Sequence, residues 1–89
     1  MRFQSIITTK YFKLDYKKLP SDLQERFLKQ LKLLLNNPRH PSLRIKKIKG
    51  ANGIFEGRVS QSCCFTFCVW EGNLILRRIG EHDKILKKP

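Results

Sequence analysis

The sequence predicts an α+β fold in which two N-terminal helices pack on one face of a largely antiparallel β-sheet, in the order β-α-α-β-β-β-β. The chain has 89 residues, enough for one modest hydrophobic core, so residues 1–89 are expected to form a single domain. Apolar residues recur with helical spacing in the first half of the chain. In the second half, apolar and polar residues alternate between turn signals, which is typical of strands.

The first half is predicted to contain one short strand and two helices. The run "RFQSIIT", residues 2–8, favours a strand, and the next apolar residues lie on one face of a helix over residues 9–19. Pro20 ends this helix. Ser21 and Gln24 have the spacing of a capping box for the second helix, which ends at "NNP". Its apolar face is formed by Leu23, Phe27, Leu31 and Leu34.

The second half is predicted to form the rest of the sheet. Residues 39–53 give a loop and a basic strand that ends at Gly50. The runs "IFEGRVS" and "CCFTFCVW" form a hairpin around a turn at Gln61 and Ser62. The run "LILRRIG" then gives the last long strand, and "EHDKILKKP" gives a single helical turn.

Strand alternation divides the residues of this hairpin between two faces of the sheet. The face expected to pack against the helices carries Phe55, Val59, Cys63, Phe65, Phe67 and Val69. The opposite face is expected to be polar and uncovered, and it carries Glu56, Arg58, Ser60, Cys64, Thr66, Cys68 and Trp70. The sequence therefore places function on this second face.

Charge and cysteine content narrow the classes of function. The chain has 19 Lys and Arg against 7 Asp and Glu, a formal charge of +12, which favours a polyanionic partner. Three cysteines, two of them adjacent, and the lack of a signal-peptide pattern indicate free thiols in the cytoplasm. The cysteine and histidine spacing does not suggest a metal site, and no cofactor is expected. No apolar run approaches the roughly 20 residues of a membrane span.

A basic sheet that holds one His and one Glu has the chemistry for cleaving RNA. Attack of a 2′-hydroxyl on the adjacent phosphate needs a base, cations for the phosphorane and an acid for the leaving 5′-oxygen. Glu56, Arg58 and His82 can supply these roles. His82 can equally be a surface or capping residue, and Glu56 can simply pair with Arg58 or a nearby Lys. RNA is expected to bind the cations on the flanking strands, Lys46, Lys47, Lys49, Arg77 and Arg78.

The order and spacing of several motifs resemble the RelE/ParE superfamily, the bacterial toxins of type II toxin–antitoxin systems. These are the run "FKLDYKKLPSDLQERFLKQLKLLLNNPRHPSLRIKKIKG", then "IFEGRVS", an "FTF" strand and "LRRIGEHDKI". The resemblance covers nearly the whole chain and implies the small RelE-like α/β fold. It also implies a RelE- or YoeB-like mRNA interferase that cuts messages in the ribosomal A site and is held inactive by a cognate antitoxin. In the resemblance, Arg58 matches a basic residue before the hairpin and His82 matches the His or Arg after the last strand. Glu56 falls where members carry either Lys or an acidic residue.

The pair "CC" at the start of the second hairpin strand departs from the family pattern. Many members have an aromatic residue followed by Arg, "YRF", where this chain has "CCF", so Cys64 stands at the position of a phosphate-facing arginine. Three explanations are open: Arg77 or Arg78 replaces that cation, the protein is an attenuated toxin, or the chain was mutated to be tolerated by its host. The alternative functions are a gyrase-directed toxin of the ParE branch and a non-catalytic RNA- or ribosome-binding member of the family.

Overall fold

The computed structural model describes residues 3–89, which form a five-stranded mixed sheet and three α-helices. The elements in chain order are β1 (Ile6–Thr8), α1 (Lys10–Lys18), α2 (Ser21–Asn36), β2 (Lys46–Lys47), β3 (Phe55–Arg58), β4 (Cys63–Trp70), β5 (Asn73–Glu81) and α3 (His82–Ile85). The strand order across the sheet is β1-β5-β4-β3-β2, with β1 parallel to β5 and every other pair antiparallel. The predicted fold class and element order are confirmed.

The two N-terminal helices begin differently from one another. Thr9 caps α1, because its hydroxyl accepts a hydrogen bond from the Phe12 N–H at 3.2 Å. The predicted capping box at the start of α2 is wrong: Pro20 occupies the N-cap position and no side chain caps this helix end. The Gln24 side chain instead donates to the carbonyl of Tyr16 at 2.8 Å. The Gln24 side chain therefore links α2 to α1 and does not cap its own helix.

An aromatic cluster of tilted and edge-to-face rings joins the helices to the sheet. The ring of Phe27 on α2 lies 5.5 Å from that of Phe12 on α1 and 5.3 Å from that of Phe65 on β4, measured between centroids. Gly57 on β3 makes room for this aromatic cluster, since a methyl group there would lie 2.5 Å from Phe65 Cζ. Burying three aromatic rings in this way supplies a large share of the hydrophobic stabilisation of so small a domain.

Two strands depart from the lengths that the sequence predicts. The first strand is limited to Ile6–Thr8, and Arg2, within the predicted strand, lies outside the described residues. The basic strand β2 covers only Lys46–Lys47 and does not continue to Gly50. The chain turns back early because the Ile48 N–H donates to the Ile54 carbonyl and Gly50 adopts a φ of +80°.

The face of the sheet opposite the helices is buried around its centre, so the expectation of an uncovered face is wrong. Cys64 is 1% exposed, Thr66 0% and Glu56 4%. The short helix α3 contacts both β4 and β5, and its residue Ile85 is buried. A methyl group on Gly80, the cross-strand partner of Cys64, would lie 3.3 Å from Ile85 Cγ2. The C-terminal helical turn therefore covers part of the face that the sequence left open.

The far end of β4 is more exposed than alternation predicts. Val69, expected in the core, is 38% exposed, and Trp70 beside it is 65% exposed. A register irregularity precedes this end, because Thr66 pairs with Arg78 whereas Phe67 pairs with Leu76. In residues 3–89, none of the helices has the length and apolar character needed to cross a membrane.

Candidate active site on the polar face of the sheet

Three side chains from separate elements meet on the face opposite α1 and α2. Glu56 comes from β3, Cys64 from β4 and His82 from the start of α3, and their potential ligand atoms all lie within 4.8 Å of one another. We call these three residues the polar cluster. The antiparallel pairing of β3 with β4 brings the first two together. The third is anchored through its backbone N–H, which donates to the Ser62 carbonyl at 2.8 Å.

The Glu56 carboxylate lies between two cationic or potentially cationic groups. Its Oε1 atom is 3.3 Å from Lys46 Nζ, on the cross-strand partner residue, and 3.8 Å from His82 Nε2. The Glu56 side chain is 5% exposed, and a buried carboxylate needs such partners to offset the loss of water. Pairing with a nearby Lys, one of the two interpretations drawn from the sequence, is therefore observed, together with a contact to His82.

Two buried polar atoms on this face have no hydrogen-bond partner within residues 3–89. One is His82 Nε2, which points toward Glu56, and the other is the Thr66 hydroxyl. Thr66 is the cross-strand partner of Glu56, so both unpaired atoms belong to residues next to the same carboxylate. Unpaired buried polar groups cost free energy and are concentrated where a protein binds or transforms something. These unpaired atoms make the polar cluster the candidate functional site.

Cys64 provides a neutral thiol to this site. Burial, then the negative charge of Glu56, then Cys63 raise the pKa of the Cys64 thiol to about 12, although Arg58 and Lys46 act in the opposite direction. A thiol with so high a pKa is not a nucleophile at neutral pH. It also carries no positive charge, so Cys64 cannot replace an arginine as a partner for phosphate.

Arg58 lies beside the polar cluster and lines a surface groove. It is the cross-strand partner of Cys64, and its Nη1 donates to the Gln61 carbonyl at 2.7 Å, which braces the β3–β4 turn. A guanidinium has five N–H donors, so this bond leaves several for a ligand. The groove contains four cations from three parts of the chain, Arg26, Lys29, Arg44 and Arg58.

The sequence analysis missed three of these cations. Arg26 and Lys29 are exposed and three residues apart on α2, a spacing that places them on one face of the helix. This spacing is visible in the sequence and predicts a pair of cations on the polar face of α2. Arg44 gave no such signal, because it reaches the groove from a left-handed backbone conformation, φ +47°, which sequence spacing does not predict.

The predicted RNA-binding cations divide into two groups. Lys46, Lys47 and Lys49 are exposed, and Lys46 links them to the polar cluster. Arg78 instead forms a two-point ion pair with Asp15 on α1, with distances of 2.6 Å from Nε to Oδ2 and 3.2 Å from Nη2 to Oδ1. The hydrogen bond to Asp15 raises the pKa of Arg78. Arg77 donates through Nε to the Pro89 carbonyl at 3.1 Å. Both arginines thus bind parts of their own chain, and neither takes the place of an arginine at position 64.

The arrangement of helices and sheet matches RelE-like toxin folds. No protein-family model matches the sequence, and no curated protein matches it. Among solved structures, the chain is similar to a RelB–RelE antitoxin–toxin complex from Methanococcus jannaschii, with 25% identity and a TM-score of 0.73 over 93% of this chain and 99% of the other. YafQ from E. coli strain BL21(DE3) has 17% identity and a TM-score of 0.78, over 96% and 98% of the two chains.

A third similar structure is the YoeB dimer from Staphylococcus aureus. It has 17% identity and a TM-score of 0.70, over 92% of this chain and 99% of the other. The matches span almost the full length of both partners, so they compare whole folds and not a shared fragment. The resemblance to the RelE/ParE superfamily that the sequence motifs indicated is confirmed by these structural neighbours, which are RelE, YafQ and YoeB toxins.

Proposed function

We propose that this protein is the toxin of a type II toxin–antitoxin system and that it acts as a ribosome-dependent mRNA endonuclease in the cytoplasm. The observation that carries the proposal is the 3.8 Å contact between Glu56 Oε1 and His82 Nε2, on a basic face of a RelE-like fold. A His held against a carboxylate and surrounded by Lys and Arg suits proton transfer next to a phosphate.

His82 is the proposed proton donor. Its side chain is 31% exposed, so it can contact a substrate, whereas the Glu56 side chain behind it is 5% exposed. We assign Glu56 a positioning role, in which the carboxylate orients the imidazole and stabilises its protonated form. The 2′-oxygen loses its proton to water as it bonds to phosphorus, and His82 gives its proton to the 5′-oxygen as the bond between phosphorus and that oxygen breaks. Arg58, with its free N–H donors, is the proposed cation for the phosphorane.

The proposed RNA-binding surface joins two groups of cations on either side of the cluster. Lys46, Lys47 and Lys49 lie along the β2 edge, and the groove beside Arg58 adds Arg26, Lys29 and Arg44. Association that depends on contacts between these cations and phosphate weakens steeply as salt concentration rises.

The proposed partner is a cognate antitoxin of acidic character. The similar toxins include one solved in a RelB–RelE complex and one in a DinJ–YafQ complex. The formal charge of +12 on this chain favours an acidic segment that covers the same cations as RNA. Such a partner would block the site because it would neutralise these cations and would cover the surface that RNA needs.

A reconstituted translation reaction tests the proposed activity. We expect the protein to truncate mRNA when ribosomes are present and to leave the same naked mRNA intact. A toxin of the gyrase-directed branch would leave mRNA whole and change the supercoiling of plasmid DNA by gyrase. That pattern, or cleavage that does not depend on ribosomes, would contradict the proposal.

The neutral thiol at Cys64 favours a second candidate function, a family member that binds the ribosome without cutting. Cys64 supplies no cation to a phosphorane, and Arg77 and Arg78 are bound elsewhere. Loss of one of several transition-state cations, here the arginine expected at position 64, costs on the order of 10²-fold in rate. Co-sedimentation with ribosomes in the same translation reaction separates the two functions: this candidate predicts bound protein and uncut mRNA.

A further inference from the structure

We propose that the polar cluster of Glu56, Cys64 and His82 is a binding site for Zn²⁺, and that a bound Zn²⁺ blocks the site. The binding claim rests only on the geometry and chemistry of these residues. The claim that Zn²⁺ blocks cleavage rests in addition on the proposed nuclease function.

The spacing of the donor atoms is close to that of a tetrahedral zinc site. Zinc bonds of about 2.0 to 2.3 Å hold neighbouring donor atoms roughly 3.3 to 3.6 Å apart. In the cluster, Glu56 Oε1 and His82 Nε2 are 3.8 Å apart, and all three ligand atoms lie within 4.8 Å of one another. Small rotations of side chains would therefore complete three zinc bonds without moving the strands.

The unpaired atoms point to a missing ligand at the same place. His82 Nε2 is buried, faces Glu56 and has no hydrogen-bond partner within residues 3–89. The Thr66 hydroxyl, on a residue that is 0% exposed and pairs with Glu56 across the strands, also has none in that part of the chain. A metal ion would satisfy the imidazole directly. The fourth zinc position would go to a water molecule within reach of the Thr66 hydroxyl.

The set of donor atoms selects the class of metal. One sulfur, one imidazole nitrogen and one carboxylate oxygen suit Zn²⁺, whereas Mg²⁺ and Ca²⁺ require mostly oxygen ligands. Zinc binding breaks the S–H bond of Cys64, forms a Zn–S bond and releases the proton to solvent. It also displaces Lys46 from Glu56, and since the Lys46 side chain is 65% exposed, it can turn outward into water.

Occupancy by zinc would remove the proposed proton donor. The Nε2 atom of His82 faces Glu56, so zinc at this nitrogen would prevent the ring from becoming the doubly protonated imidazolium that acts as the acid, and the ion would also occupy the space in front of Glu56. Zinc would thus act on this protein as an inhibitor, and the cysteine that departs from the family pattern would supply the ligand that makes inhibition possible.

Cobalt titration of the purified protein tests the binding claim without ribosomes or RNA. Co²⁺ substitutes for Zn²⁺ and gives a thiolate-to-metal charge-transfer band when a cysteine is a ligand. We expect this band to saturate at one equivalent of Co²⁺ and to disappear when Zn²⁺ is added. Cys64→Ser should abolish the band, and the matched control Cys68→Ser, at a half-buried cysteine farther along β4, should keep it. Absence of the band in the wild type, or its loss in Cys68→Ser instead, would overturn the proposal.

A second variant keeps the test decisive if Cys64→Ser fails to fold. His82→Gln changes a partly exposed side chain and should raise the dissociation constant for Zn²⁺ at least about tenfold, measured by competition with a chromogenic chelator. His40→Gln is the control, because the His40 side chain caps the turn Pro41–Leu43 and does not belong to the cluster. Equal zinc affinity of His82→Gln and wild type would overturn the binding claim.

The ribosome assay then tests the blocking claim separately. One equivalent of Zn²⁺ should slow mRNA cleavage at least tenfold, and a chelator should restore it. Stoichiometric zinc binding with undiminished cleavage would overturn the blocking claim and leave the nuclease function intact. Zinc binding by a protein that does not cleave in any condition would instead contradict the proposed function and leave the metal site intact.

Discussion

The two faces of β4 are both buried, but they are buried by different chemistry. The face toward α1 and α2 carries Cys63, Phe65 and Phe67, which join a continuous hydrophobic core. The polar face carries Cys64 and Thr66, which are equally inaccessible but lie beside a carboxylate and an imidazole. Burial of the first face stabilises the folded state. Burial of the second face stabilises it less, because this face includes polar groups without hydrogen-bond partners.

This contrast shows how a small domain combines a stable fold with a reactive site. One side of a single strand anchors the aromatic cluster through Phe65, and the other side presents the polar cluster. Since adjacent residues of a strand point in opposite directions, the boundary between the two functions falls between Cys63 and Cys64.

Substituting arginine for each of the two cysteines should give the largest difference in stability between the two faces. Cys63→Arg places an unpaired charge in the hydrophobic core and should lower the free energy of unfolding by about 3 to 5 kcal/mol. Cys64→Arg is expected to cost less, because Glu56 lies next to that position and can pair with the guanidinium. Urea denaturation of both variants measures the difference.

The control for this pair is Gln61→Arg in the exposed β3–β4 turn, which should change stability by no more than about 0.5 kcal/mol. Sequence reasoning alone expects Cys64→Arg to be freely tolerated, but a residue that is 1% exposed has to displace part of α3 to hold a longer side chain. A larger loss for Cys64→Arg than for Cys63→Arg would show that the two faces are assigned the wrong way round.

Exchanging Thr and Val, which differ by a hydroxyl in place of a methyl group, tests the difference between the two faces with a smaller change. Thr66→Val removes an unpaired buried hydroxyl at nearly constant volume and should stabilise the protein by about 1 kcal/mol. Val59→Thr, the reverse exchange in the hydrophobic core, should destabilise it by about 1 to 3 kcal/mol. Thermal and urea unfolding of the two variants should therefore shift in opposite directions. Destabilisation by Thr66→Val would mean that its hydroxyl has a partner on the polar face.

Alkaline pH gives a smaller effect, to which Cys64 on the polar face contributes. The pKa of Cys64 is raised from an ordinary 9.0 to about 12 in the folded protein, so the native state favours the neutral thiol. This contribution is fully present below about pH 9 and is lost as pH rises from there toward 12, because the unfolded chain ionises first. By pH 10 the loss should be about 1.4 kcal/mol.

Cys64→Ser removes the titrating group, so its unfolding free energy should decline less between pH 8 and 10 than that of the wild type. Comparing the two proteins cancels the contribution of the lysines, which they share. Parallel declines in the two proteins would indicate that Cys64 ionises in the folded state as readily as in the unfolded chain.

Local patterns in the sequence predict most of the secondary structure. The run "CCFTFCVW" matches β4 residue for residue, and the helix predicted between Pro20 and "NNP" matches α2. These elements follow from side-chain periodicity and from prolines and glycines, which act over a few residues. The capping box failed because Pro20 began the helix one residue earlier than Ser21 would have.

The sequence predicted which residues form the candidate site, but it did not predict their burial or their contacts. Glu56, Arg58 and His82 were identified from their residue types and Cys64 from the family resemblance, and the structure brings the ligand atoms of Glu56, Cys64 and His82 within 4.8 Å of one another. Their burial was missed, because the cover comes from α3, whose four residues carry too little pattern to reveal where the helix packs. The pairing of Arg78 with Asp15 spans 63 residues of sequence, a distance over which periodicity holds no information.

Ribosome-dependent cleavage by His82→Gln tests the central claim most directly. If His82 donates the proton to the leaving 5′-oxygen, the variant should cut mRNA at least about 10²-fold more slowly than the wild type, while its stability and ribosome binding remain the same. The matched variant His40→Gln, which changes the only other His, should cut at the wild-type rate. Equal rates for His82→Gln and the wild type would contradict the assignment of the polar cluster as the active site.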